Sequence, residues 1–143
     1  MIEFRINSKG FNAAIRRLIN QATDRRPLMA QIGGILHNEI EENFKAEGRP
    51  HWVDLQDSTK VSREAKNKWP GKILQVSGQL VGSIQIQSDN DEALAGTNKV
   101  YGPTHEFGDS RRNIPARPFL TIPEKAQDEI EDAIRRYVLR GTV

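Results

Sequence analysis

The chain has 143 residues, 36% of them hydrophobic, and its 21 basic and 19 acidic residues leave a formal net charge of +2. That length suits one compact domain, residues 1–143, burying roughly 70% of the surface its unfolded chain exposes. No apolar run reaches the ~20 residues of a membrane span, and the lack of cysteine removes disulfides, thiol catalysis and Cys-ligated zinc together.

The start, MIEFRINSKG, is charged and alternating and holds no apolar signal-peptide core, so the expectation is a protein kept in a cytoplasm. Ile2, Phe4 and Ile6 alternate with Glu3 and Arg5, the period of a half-buried strand. After Gly10 the period changes. Phe11, Ala14, Ile15, Leu18, Ile19 and Ala22 fall on one face of a helix, with Arg16 and Arg17 off that face. Asp24 to Pro27 breaks the pattern, and Asp24 is a candidate N-cap for a second helix. Leu28, Ile32, Ile35, Leu36, Ile40 and Phe44 form its stripe, ending near Lys45 before Gly48. Gly33 and Gly34 inside it weaken a helix by roughly 1 kcal/mol each relative to Ala, which a close approach to another element would explain.

Residues 46–71 read as a long polar loop that holds both tryptophans, Trp52 and Trp69. Trp52 and Leu55 are its expected anchors, and Ser58 is a candidate cap for a short helix containing Val61. A loop this long in a small domain is functional or flexible as a rule. Ile84 to Gln87 alternates as a strand, Asp89-Asn90-Asp91 reads as a turn, and Glu92 to Thr97 returns with Ala93, Ala95 and Thr97 on a tightly covered face. The last helix starts near Pro123, with acids early and Arg135, Arg136 and Arg140 late; Gly141 stands where a C-terminal cap belongs. The order implies an α+β fold. A small, mainly antiparallel sheet packs against two N-terminal helices and a C-terminal helix, with a long loop around residues 46–71.

Chemistry concentrates in residues 101–120, YGPTHEFGDSRRNIPARPFL. His105 with Glu106 or Asp109 could pair a base with its orienter, but adjacent side chains rarely converge as a working dyad must. No nucleophile elbow, P-loop, HExxH or GxGxxG occurs. The three histidines, His37, His51 and His105, lack carboxylates at ligand spacing, so no metal and no cofactor is expected. With no reaction to assign, His105 is read as a residue whose ring nitrogens fix a turn held by Tyr101, Pro103 and Gly108. Pro115 and Pro118 force their predecessors into extended backbone, so IPARPFL runs extended and Phe119 and Leu120 anchor it. Arg117 between the prolines suits a bidentate pair with a carboxylate, either in its own chain or on a neighbouring subunit. A nucleic-acid reading draws on the Arg-Arg pairs with Lys60, Arg63, Lys66, Lys68 and Lys72, and on Trp52 and Trp69 for stacking.

The ordered set of motifs resembles the phage virion morphogenesis proteins of the Mu type, related to the tail-completion proteins of contractile-tailed phages. It comprises Trp52-x-x-Leu55-x-x-Ser58-Thr59, Ile73 to Leu80 (ILQVSGQL) and Ser83-Ile84, then Gly96-x-x-x-x-Tyr101-x-x-x-His105-Glu106-Phe107-Gly108 and Ile114 to Leu120 (IPARPFL). The likeness covers about residues 47 to 122, and Gly102 and Glu106 depart from the Ala and Gln common there. The resemblance implies a structural, non-enzymatic role: completing the tail or joining it to the head as a ring of identical subunits, a hexamer being one option. Tail tube, sheath or head–neck proteins are the implied partners, with non-specific contact to passing DNA and no membrane. It further implies a place in the virion, after assembly in the host bacterial cytoplasm. Trp52, Arg111, Arg112 and Arg117 are the expected partner contacts, while Tyr101, His105, Gly108, Pro115, Pro118 and Phe119 shape the loop. The alternative is a nucleic-acid-binding module using its Arg and Lys patches.

Overall fold

The alternation of IEFRIN forms β1, Ile2–Asn7, in the computed structural model, which describes residues 2–140. A short 3-10 turn, Ser8–Gly10, leads to α1, Ala13–Gln21. Asn12 caps α1, its Oδ1 accepting from Ile15 N at 3.1 Å, so the helix starts two residues later than the apolar spacing alone implies. The second helix, α2, is Arg26–Lys45 with Pro27 in its first turn. Its N-cap position is Arg25 rather than Asp24. Asp24 still serves the helix start: its carboxylate accepts from Arg26 N at 3.2 Å and Arg26 Nε at 2.9 Å. The side-chain bond from Arg26 is the main reason its pKa falls to about 2.

Within residues 46–71 the short helix expected around Val61 forms as α3, Asp57–Glu64. Gln56 is its N-cap residue, and Ser58 stands inside the first turn rather than before it. No residue of α3 is buried, so no apolar stripe announces it in the sequence. Two further helices, α4 (Gln79–Gly82) and α5 (Gly102–Phe107), are likewise too short to show a period. The sheet has the order β1-β3-β2, antiparallel throughout, with β2 at Gln85–Ser88 and β3 at Glu92–Thr97. Asp89 turns the β2–β3 hairpin by accepting from Asp91 N at 2.7 Å and Glu92 N at 2.9 Å through one carboxylate oxygen. The fold is α+β, with a small antiparallel sheet, as the element order implies.

The sheet packs against α2, and the last helix, α6 (Glu124–Arg140), packs against α1 and α2. Pro123 precedes α6 instead of joining its first turn; its carbonyl accepts from Ala126 N at 2.9 Å. Ala126, Ile130, Ala133 and Ile134 are the buried stripe of α6, with Tyr137 and Val138 half-buried beside them. The Tyr137 hydroxyl donates to the Asp24 carbonyl and ties the end of α6 to the start of α2. Gly141, the expected C-terminal cap, lies outside the described residues.

Small residues let α2 sit close on the sheet. Ala93, Ala95 and Thr97 of β3 are fully covered, and a Cβ on Gly33 would meet Ile86 Cγ2 at 2.5 Å. Gly34, one residue on, faces open space with nothing within 4 Å. The two glycines therefore differ in kind. Gly33→Ala should destabilise by about 1–3 kcal/mol through overpacking, whereas Gly34→Ala should stabilise by about 0.5–1 kcal/mol through helix propensity. Urea unfolding of the two variants checks both signs.

Candidate interaction groove

Residues 115–121 run extended without joining the sheet, so their backbone groups need partners from elsewhere. Side chains supply most of them. Asn43, fully buried on α2, donates through Nδ2 to Phe119 O and Thr121 O, each at 2.8 Å, and its Oδ1 accepts from Arg49 Nε at 2.8 Å. Arg49 in turn pairs with Glu39 at 2.8 Å. Glu106 of α5 accepts from Phe119 N at 2.8 Å and Leu120 N at 3.1 Å through one oxygen. Trp52 Nε1 donates to Pro118 O at 2.8 Å, and Arg117 N donates to His105 O at 2.7 Å. Phe119 is fully buried, its ring 5.3 Å from that of Phe44, which also meets Trp52 edge-on at 5.8 Å.

This places Trp52 inside the protein, 5% exposed, where it pins the strap from below. Its indole is an anchor, not a partner contact: apolar area and one N–H are both satisfied within the chain. Arg117 is 6% exposed, and among the described residues it pairs with no carboxylate of its own chain. Its Nε donates to Val53 O at 2.8 Å and its second terminal nitrogen to Asp54 O at 3.1 Å. Carbonyl oxygens replace the carboxylate because Asp54 turns its side chain to Lys60, 2.7 Å away.

A groove of about 570 Å³ opens where the lead-in to α3, residues 73–74, α5 and the strap meet. A smaller recess of about 170 Å³ shares its Arg63, Ile73, Leu74 and His105 walls and reaches Tyr101. Val53, Leu55, Ile73, Leu74, Ile114 and Pro115 give it apolar sides, and Arg63, Arg112 and Arg117 give it charge. Arg63 bonds the Ile73 and Lys72 carbonyls at 2.8 and 3.1 Å. Among the described residues, neither Arg63 nor Arg117 has a carboxylate within ion-pair distance. Burial lowers the pKa of each, and for Arg117 the neighbouring Arg63 adds to the effect.

His105 lies on the groove wall, with Tyr101 edge-on at 6.0 Å. Its Nδ1 is buried without a hydrogen-bond partner, so its ring does not fix the turn; its main-chain carbonyl does. Burial first, then Arg117 and Arg63, push the imidazole pKa below its ordinary value. Neither suspected dyad forms. Glu106 points to the strap, and Asp109 accepts from Arg112 Nε at 2.7 Å. Among the described residues, no group of three or more His, Asp or Glu is arranged to hold a metal ion.

The span between the supports is a closed turn. Asp109 and Ile114 exchange backbone hydrogen bonds at 2.8 and 2.9 Å around a 3-10 turn, Ser110–Arg112. Gly108 (φ +75°) lets the strap pass close, since a Cβ there would lie 2.7 Å from Ala116 N. The turn holds Arg111 out, its side chain 92% exposed, and Arg112 beside it at 62%, at the groove rim. Pro115 lines the groove, and Pro118 contributes the carbonyl that Trp52 reads. Asn43 escapes the sequence reading, and Arg63 enters it only among the cations of the nucleic-acid alternative, not as a groove wall. Asn43 occupies a stripe position of α2, seven residues after Leu36, and a polar residue there was the available signal.

Glu106→Ala should destabilise by about 2–4 kcal/mol, leaving two buried backbone donors unmatched, whereas Glu106→Gln keeps an acceptor oxygen and should cost about 1 kcal/mol. Chemical denaturation reads both. His105 predicts a pH dependence. With its folded pKa below the unfolded one, the unfolded chain binds the proton more readily. Its contribution is thus fully present above the ordinary histidine pKa and falls as pH drops through that value toward the folded one. His105→Gln should flatten stability against pH in that window.

Residues 6–139 match the phage virion morphogenesis family. The chain is 34% identical to the Mu-like prophage FluMu G protein 2 of Haemophilus influenzae, over 96% of each chain. FluMu G protein 1 of the same organism is 31% identical over 94% of this chain and 93% of its own. The putative capsid assembly protein G of Escherichia phage Mu is 28% identical over 84% of this chain and 83% of its own. No solved structure matches. The groove and strap thus lie within the matched span, and the chain belongs to the phage virion morphogenesis family.

Proposed function

We propose that this protein is a non-enzymatic assembly component that completes the phage tail or joins it to the head, acting as a ring of identical subunits. The observation that carries the reading is the rigid presentation of two arginines. A strap without a sheet partner is bolted to the core at both ends, and the turn between holds Arg111 and Arg112 out beside a groove with uncompensated guanidiniums. Such surface charge on a fixed frame suits contact between protein subunits, where complementary potentials set register and partner choice. The name of the phage Mu relative, a putative capsid assembly protein, supports an assembly role. Ring copies, tail tube or sheath proteins and head–neck proteins are the partners this reading requires, and the host cytoplasm is where it would act before entering the virion.

Catalysis has little support from the groove, since His105 has no carboxylate orienter and no activated nucleophile beside it. The nucleic-acid reading loses much of its material too. Lys60 is paired with Asp54 and lies 5.5 Å over Trp69, and Trp52 is buried.

Deleting the gene from its phage should leave separated heads and tails, or unstable tails, in electron micrographs of lysates. Normal infectious particles in undiminished yield would end the proposal. Titration with duplex DNA at two salt concentrations should give weak binding; tight binding with a steep salt slope would favour the nucleic-acid module instead.

A further inference from the structure

The groove holds more positive charge than its own chain answers. Arg117 is almost fully buried and Arg63 half-buried, both bonded only to carbonyl oxygens, and the buried His105 Nδ1 has no partner. The nearby carboxylates are diverted, Asp54 to Lys60 and Asp109 to Arg112. Buried cations are ordinarily paired, and an anion entering here would meet guanidinium charge in a recess with apolar walls.

The opposite imbalance stands on α6. Glu124, Asp128 and Asp132 are exposed, and their i, i+4, i+8 spacing puts them in one line along the helix. Among the described residues none of the three is in an ion pair. Like charges at that spacing repel each other, and the helix dipole offsets this only in the first turn, at Glu124, leaving Asp128 and Asp132 without its support. This helix packs on α1 and α2, whereas α3, α5 and the strap form the groove, so the two patches are built from different elements.

We infer that the groove is a carboxylate socket for a second copy of this chain, filled by the acidic line of α6. The inference rests on the self-assembly part of the proposed function and specifies it. Because socket and plug are different patches, the contact is heterologous and runs head to tail, the kind that closes into rings or extends into filaments. Apolar walls around a buried guanidinium favour a side chain that can be inserted over a phosphate backbone, which presents its charge on a convex, hydrated ridge.

The experiment is sedimentation velocity on the full chain and two variants, with circular dichroism confirming that each folds. The plug variant is Glu124→Gln, Asp128→Asn, Asp132→Asn. The socket variant is Arg63→Gln with Arg112→Glu, which leaves the strap's Arg117 in place; Arg112→Glu alone serves if the double variant does not fold. Wild type should associate more weakly as salt rises. Each variant alone should need a concentration at least about tenfold higher to associate. An equimolar mixture should stop at a heterodimer, since it contains one intact plug and one intact socket that meet only once. Association of the plug variant at the wild-type concentration would overturn the inference, as would a mixture that stays monomeric. A wild type that stays monomeric at every concentration would also overturn it, and a deletion phenotype of separated heads and tails would then leave the assembly role standing. Salt-sensitive binding of a single-stranded oligonucleotide, lost in the socket variant and competing with association, would assign the groove to phosphate instead.

Discussion

The structure depends on how the backbone of residues 117–121 is satisfied. This strap leaves the sheet without a neighbouring strand, yet crosses the core with Phe119 fully buried. Unpaired backbone groups at that depth would each carry a desolvation penalty of about 1–3 kcal/mol. Asn43, Glu106, Trp52 and the His105 carbonyl meet them from α2, α5 and the α3 lead-in. Each of these bonds joins residues at least a dozen positions apart. The strap is therefore the knot that ties otherwise separate short elements to the long helix, and a groove with defined walls exists only because that knot is rigid.

Charge follows from the same arrangement. Holding the strap in place brings Arg117 under the residues before α3, where backbone carbonyls and not carboxylates are within reach. Arg63 arrives from α3 to a similar set of carbonyls. The acids close by are taken by Lys60 and Arg112 at the rim. A near-neutral chain thus separates its charge, a basic recess on one group of elements and an acidic line on another. Overall charge of +2 conceals this. Separation of this kind costs folding stability, since neither patch is neutralised locally.

The elements legible in the sequence are those whose burial is periodic. The stripes of α1, α2 and α6 and the alternation of β1 could be read because one face of each meets the core over several turns or residues. Around Val61 a short helix was legible from a capping residue, though α3 buries nothing, while α4 and α5, four and six residues long, were hidden because they are too short to show a period. The motif order, ending in the IPARPFL strap, carried the family, which the match over residues 6–139 establishes. Side-chain roles were less accessible. Trp52 was legible both as an anchor of its polar stretch and as a partner contact, and only its burial against Phe44 favours the anchor.

What the sequence by itself determined is therefore the α+β framework, the extended strap between prolines, and the family. Each of these depends on local terms: side-chain periodicity, the fixed φ of proline, and the linear order of motifs. Tertiary structure alone decided the partners of Asn43, Glu106, Arg63 and Arg117. A hydrogen bond between residues 6 and 76 positions apart in sequence, such as those Asn43 makes to Arg49 and Phe119, is set by how distant elements dock, and no local spacing encodes it. The fate of Arg117 shows the difference. Its residue type promised a carboxylate, but the geometry of docking delivered two carbonyls.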